Sequence, residues 1–290
     1  MKYIQSFILL LFLVLVTGCI KEDRSDCGRT ILRFSYVGDG TTEIFRNKMK
    51  SVDLYVFDSN NECVHSLPLE QNELASQSKS LFLKPGTYRA VCIGNAMEET
   101  VTVGLSCQNF HEMRCTHPHC LDGGVIATND SLYHGALTFT VPDSRAVDET
   151  IQFHAAHYDV CVEVKGYTPQ EGDPEIPLAL QWTGMSEWVN FNNEVTSDEL
   201  TDYFPQGQKM KEGYIFHFDM LRQTKQVGIQ LKDAWNQMLY QMNLCDFIAQ
   251  HPEVDLMKEE LLIPILIEFK SVGVQVSIPD WAVEQIKPEF

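Results

Sequence analysis

The sequence predicts an all-β fold: two tandem β-sandwich domains behind a lipoprotein signal peptide. Three observations carry that expectation. Short apolar stretches with strand-like alternation recur along the chain, separated by Gly, Pro, Asn and Asp clusters, the spacing of antiparallel sandwiches. Only Asn243 to His251 has a good helical pattern, and Pro252 ends it. Finally, the chain overlays on itself at a shift of 175 residues. Val52, Leu54 and Val56 fall on Val227, Ile229 and Leu231. Asp58 and Asn61 fall on Asp233 and Asn236. Cys63, Val64 and Leu69 fall on Met238, Leu239 and Leu244. A three-residue apolar face, an Asp turn, an Asn and a return strand thus recur without a gap, as a duplicated sandwich would give.

The N-terminus sets the location. Lys2 precedes an unbroken apolar run from Phe7 to Val16. That run is a signal-peptide core, too short for a permanent span of about 20 residues. Val16-Thr17-Gly18-Cys19 follows, with small residues ahead of a cysteine, and resembles a bacterial lipobox. Acylated Cys19 would then begin the mature chain. Each buried CH₂ contributes about 0.8 kcal/mol, so two or three acyl chains hold essentially for good. The acidic residues after Lys21 resemble a surface-export signal. The expected organisation is a signal peptide over 1–18, a lipidated tether over 19–30, one sandwich over 31–147 and a second, with a short helix, over 148–290.

The elements follow in order. Ile31 to Val37 alternates and is broken by Gly38-Asp39-Gly40. Val52 to Phe57 is a strand, Asp58 to Asn61 a turn and Cys63 to Leu67 the return strand. Residues 70–79 read as a loop. Leu81 to Leu83 and Thr87 to Ile93 flank a Lys84-Pro85-Gly86 turn. Ser131 to Val141 is a strand, and 142–149 a polar linker. Ile151 to Phe153, Val160 to Val164, Trp188 to Phe191, Ile215 to Phe218 and Val227 to Leu231 are short strands, with an acidic, Pro-rich loop over 168–177. Leu261 to Phe269 and Val272 to Ile278 close the fold, with Pro264 marking an edge or bulge and Trp281 tucked in at the end.

Charge and chemistry narrow the function. Apolar residues make up 44% of the chain, enough to build cores, and the net charge is −18. That charge argues against nucleic acid, whose phosphates would be repelled, and against peripheral binding to anionic lipid. Beyond Cys19 there are eight cysteines: Cys27, Cys63, Cys92, Cys107, Cys115, Cys120, Cys161 and Cys245. An exported chain permits disulfides, and Cys115 with Cys120 are the best-placed pair. Cys63, Cys92 and Cys161 lie in apolar runs where Cys acts as a small hydrophobe. His111, Cys115, His117, His119 and Cys120 crowd one stretch, but their spacing matches no zinc pairing, so 107–120 reads as a surface loop. The motifs of hydrolases, zinc proteases and nucleotide binders do not occur. His154 and His157, three apart in a strand, would face opposite ways. No catalytic residue, cofactor site or metal site is assigned, and the chain is not expected to be an enzyme.

Several stretches together carry a family resemblance: the lipobox with Lys21 to Cys27, Leu32-Arg33-Phe34-Ser35-Tyr36, Val52 to Asp58 and Leu83-Lys84-Pro85-Gly86-Thr87-Tyr88, supported by Tyr133-His134-Gly135 and the closing strands. In that order they resemble the FimB-type fimbrial anchor proteins of Gram-negative bacteria, most closely before residue 96. The His/Cys loop, the cysteine number and Pro279-Asp280-Trp281-Ala282 depart from the pattern. The resemblance implies two transthyretin-like sandwiches held on the outer membrane by acyl chains on Cys19. It implies a role at the fimbrial base and fimbrial (pilin) subunits as partners, bound by strand addition. Stalk pilins of this kind lose an N-terminal segment after an Arg; Arg24, Arg29 and Arg33 are the candidate bonds here, and an anchor should keep them. Two alternatives stand beside the anchor: a stalk or tip subunit (an adhesin), and a glycan-binding surface lipoprotein using Trp182, Trp188 or Trp235.

Overall fold

A computed structural model describes residues 28–104, 109–143 and 146–282; the signal run, Cys19, Arg24, Cys27 and Cys107 lie outside them. The alternating stretches form strands as expected. In the first half these are β1 (Gly28–Ser35), β2 (Val52–Phe57), β3 (Cys63–Pro68), β4 (Ser78–Leu83), β5 (Gly86–Gly94), β6 (Val101–Val103), β7 (Arg114–Thr116), β8 (Tyr133–Val141) and β9 (Val147–Ala155). The second half holds β10 (His157–Lys165), β11 (Leu178–Ser186), β12 (Trp188–Asn190), β13 (Leu200–Tyr203), β14 (Gly207–Met210), β15 (Gly213–Leu221), β16 (Gly228–Asp233), β17 (Met238–Asn243), β18 (Leu262–Lys270) and β19 (Gly273–Ser277).

Seven strands run in the order β3-β2-β5-β8-β9-β1-β4. β9 bridges two leaves, pairing antiparallel with β8 through Phe153–Ala155 and parallel with β1 through Val147–Gln152. Leu32 and Phe34 from one leaf meet Leu54, Val56 and Cys92 from the other in one buried cluster. The second half stacks β14-β15-β10-β18-β19 on β13-β11-β16-β17. Val160, Val162, Phe216, Ile263 and Ile265 pack there against Leu180, Trp182, Ile229 and Leu231. In each half the first strand pairs in parallel with the last long one, β1 with β9 and β10 with β18.

The 175-residue overlay is visible in atoms. The Asp58 carboxylate accepts the N–H groups of Asn60 (2.8 Å) and Glu62 (3.0 Å). Asp233 accepts those of Trp235 (2.9 Å) and Gln237 (2.8 Å). Asn61 and Asn236 both sit at φ 64°, a left-handed angle that Asn tolerates. Register slips between Val56 and Phe57 in one hairpin and between Leu231 and Lys232 in the other. Both hairpins close with the same bond, Leu69 N–H to Val52 O (2.8 Å) and Leu244 N–H to Val227 O (3.0 Å). The expected helix is present as Leu244–Gln250.

Four expectations change. Residues 70–79 are not a plain loop: Gln71–Ser76 is a helical turn and a half, held by a reciprocal capping box between Glu70 and Glu73. The polar linker shrinks to the turn after Pro142, because Val147, Ile151 and Phe153 alternate inward on β9. The boundary at 147/148 therefore cuts a strand that completes the first sheet, and Ala155 is where that sheet ends. From Asn109 to Cys120 the stretch is not a plain surface loop. Phe110, Met113 and Cys115 are buried in a third cluster with Tyr55, Phe57, Val189 and Phe191, joining the halves. Lastly, Cys115 and Cys120 are free thiols. Cys115 points into that junction cluster, while Cys120, on the helix Pro118–Asp122, packs against the second core. Pro264 lies on β18 where only β10 pairs, since β19 joins from Leu266 onward; its missing N–H costs no ladder bond on the open side.

Candidate functional site

The N-terminal end and the open sheet edges are where an anchor would do its work. β1 starts nine residues after Cys19, and those residues reach at most about 30 Å when fully extended. β1 is not an appendage. It lies between β9 and β4, its Leu32 and Phe34 are buried, and Arg33 forks onto Asp148 with two bonds of 2.7 Å. Arg29 and Arg33 both fall inside this strand. A cut after Arg33 would divide it and take Leu32 out of the core.

Among the described residues, sheet edges are open along the six-residue β3 and β17 and along the shorter β14 and β19. An edge presents unpaired N–H and C=O groups to any extended chain. β3 is occupied at one point: Glu62 bridges antiparallel to Asn109, and Phe110 N–H donates to Asn61 O at 3.0 Å. Among the described residues β17 pairs only with β16.

Where the halves meet, Glu260 gathers Lys48, the Tyr36 hydroxyl and the Tyr133 hydroxyl (3.2 Å). Burial pushes the Glu260 carboxyl up, but the hydrogen bonds from Lys48 and Tyr36 outweigh it, and the group is held below the ordinary carboxylate range. Burial and the adjoining Glu260 charge push both tyrosines up. Beside them Glu259 holds the His154 ring (2.7 Å) and the Ala155 N–H (2.6 Å). A cleft of about 330 Å³ opens here, with Lys50, Asp159, His217 and Asp219 on its wall. Asp159 is raised by burial although His217 bonds it at 2.6 Å. This is a partly exposed polar strut between the halves, and nothing in it has the form of a nucleophile with a base.

The sequence-flagged residues disperse. His117 Nδ1 accepts the His119 N–H (3.0 Å), which leaves Nε2–H to donate to Glu99 (2.6 Å); burial holds this imidazole neutral. His119 instead faces Asp122. Among the described residues no three His, Cys, Asp or Glu side chains gather in a metal-holding group. His157 turns inward to Leu132 O (2.9 Å), and His154 turns out to Glu259. Trp182 is 0% exposed against Phe218, so it cannot serve as a sugar platform. Trp188 is half-buried under Arg114. Trp235 alone of the three stands in solvent, and Trp281 donates to Glu163. The junction cluster and the Glu260 strut were missed from sequence. One signal was available for the cluster: Tyr55 and Phe57 are aromatic where their counterparts at +175, Gln230 and Lys232, are polar, so the first sheet's outer face needed a cover.

Comparison with known proteins agrees with this architecture. Over its full length the chain is 24% identical to the major fimbrium anchoring subunit FimB of Porphyromonas gingivalis strain W83, covering 98% of that protein. The fold matches the crystal structure of the fimbrial anchor protein Mfa2 from P. gingivalis with a TM-score of 0.65 at 12% identity, over 88% of this chain and 98% of that one. A Bacteroides ovatus structure described as an adhesin candidate matches with a TM-score of 0.73 at 14% identity, over 88% and 95%. The family model of the fimbrillin-A associated anchor proteins Mfa1 and Mfa2 matches residues 24–287, and the chain belongs to that family.

Proposed function

We propose that this chain is an outer-membrane lipoprotein that anchors a fimbria at the cell surface and helps assemble it. Cys19 carries the acyl chains, residues 19–30 are the tether, and the two halves are tandem sandwich domains related by duplication. An open strand edge binds a fimbrial subunit, with backbone hydrogen bonds giving strength and alternate side chains giving specificity. The observation that carries this reading is the seat of β1: it begins nine residues after Cys19 and is locked between β9 and β4. A lipid at Cys19 therefore pulls on a strand paired on both sides, not on a loose arm, and load from the fimbria passes through many backbone bonds. Exchange of Cys19→Ser in the producing cells tests the reading: fimbriae should still assemble but be shed into the medium. Fimbriae that stay on the cell would refute it.

A further inference from the structure

We infer that the tip of the second hairpin, Trp235-Asn236-Gln237 with the open edge of β17, is a docking point for an extended segment of a fimbrial subunit. This rests on the fimbria-binding reading and names a surface for it. The repeat places the two hairpin tips side by side for comparison. The two hairpins share turn, left-handed Asn, register slip and closing bond. In the first, the tip is already occupied by the chain's own segment. Asn109 bridges to Glu62, Phe110 donates its N–H to Asn61 O, and the Phe110 ring stands edge-on to Phe57 at 5.3 Å beneath Arg89. In the second, the matching acceptor, Asn236 O, takes no backbone N–H among the described residues, and Gln237 has no bridge partner outside the hairpin.

The side chains differ in the direction a partner requires. Asn60, a solvent-compatible turn residue, is replaced by Trp235, which is 71% exposed. Met238, at the position of Cys63, is 41% exposed, and Leu239 and Met242 continue the strand as partly buried side chains against the second core. An exposed Trp and Met beside an open edge are costly to leave in water, and Trp above all is a residue on which interfaces concentrate their affinity. The first half shows the occupant's form: one extended residue, Asn109, bridged antiparallel to the tip, followed at once by an aromatic, Phe110, that opens a 3₁₀ turn. The occupant's ring would meet Lys232, where the first half has Phe57, and the Lys232 stem held by Gln181 (2.6 Å) offers an apolar surface to it.

The test is hydrogen exchange on the full-length protein in detergent, alone and with shaft subunit sheared and purified from the same cells. Amides of 236–242 should slow about tenfold or more on complex formation, while those of 63–68 stay unchanged. A complex that leaves 236–242 unchanged overturns this inference and spares the anchoring role; absence of any complex overturns both. Trp235→Ala, at a surface side chain, should fold as the parent does and weaken the complex about tenfold. An unchanged affinity would likewise overturn the assignment.

Discussion

Substituting Leu32→Ala tests whether β1 is part of the core or a removable leader. Leu32 is 0% exposed and packs with the β2, β4 and β9 side chains in the first-half cluster. Its neighbours are strands fixed on both sides by ladder bonds, so the site can collapse little. Truncation should cost about 3 kcal/mol, within the range for fully buried Leu. With a urea slope of about 1.5 kcal/mol/M, the midpoint should fall by about 2 M. All four tryptophans, Trp182, Trp188, Trp235 and Trp281, lie in the second half. Tryptophan emission therefore reports that half, and exchange of β5 amides reports the first. The first-half transition should move by the full amount. Emission should follow it partway, because the junction cluster and Glu260 couple the halves. A first-half shift below about 0.5 kcal/mol, the size of an ordinary surface change, would refute the reasoning.

Further outcomes follow from the same structure. Glu260 is held below its ordinary value of 4.5, so the fold favours its ionised form; the stability it adds is complete above that pH and is lost as pH falls through the lower, folded value. Glu260→Gln should thus remove one acid-sensitive step from the unfolding profile, and an unchanged acid limb would contradict the strut. Thiol labelling of the native protein at mild alkaline pH should mark exposed Cys245 first and leave Cys92, Cys115 and Cys161 silent, since burial pushes Cys115 and Cys161 up to about 12 and Cys92 still further. Mass mapping of the adducts checks this, and early reaction at Cys115 would contradict its place in the junction. Trp182→Ala should cost about 4 kcal/mol of second-half stability, read by denaturant midpoint. A neutral result would mean that Trp182 is not in the core.

Much of the fold was legible because strands with one buried face write their period into the chain. Val52, Leu54 and Val56 declare one face of β2, and Asp58 with Asn61 declares the turn. The repeat could be read for the same reason: turn chemistry fixes residue types, and it recurs at Asp233 and Asn236. What could not be read uses an unusual residue for its role or depends on distant partners. The capping box at Glu70 and Glu73 uses Glu as the cap, a residue not among the preferred ones, so it reads as loop. β9 looked like a linker because its first residues alternate Val147 with charges, and only the parallel partner β1 makes them a strand. Phe110, Met113 and Cys115 sit among histidines and cysteines that suggested a surface loop, while their burial comes from Tyr55 and Phe191, which lie far away in sequence. Glu260 is one acid among many, and it gains meaning only where Lys48, Tyr36 and Tyr133 converge on it.

The central claim is that the whole fold stays tied to the membrane through an uncut N-terminus. Intact-mass measurement with N-terminal peptide mapping, on protein extracted from outer membranes in detergent, tests it most directly. The account predicts a single chain beginning at an acylated Cys19 and continuous through Arg24, Arg29 and Arg33. A non-acylated chain beginning after any of those arginines would contradict it and make the protein a polymerising subunit.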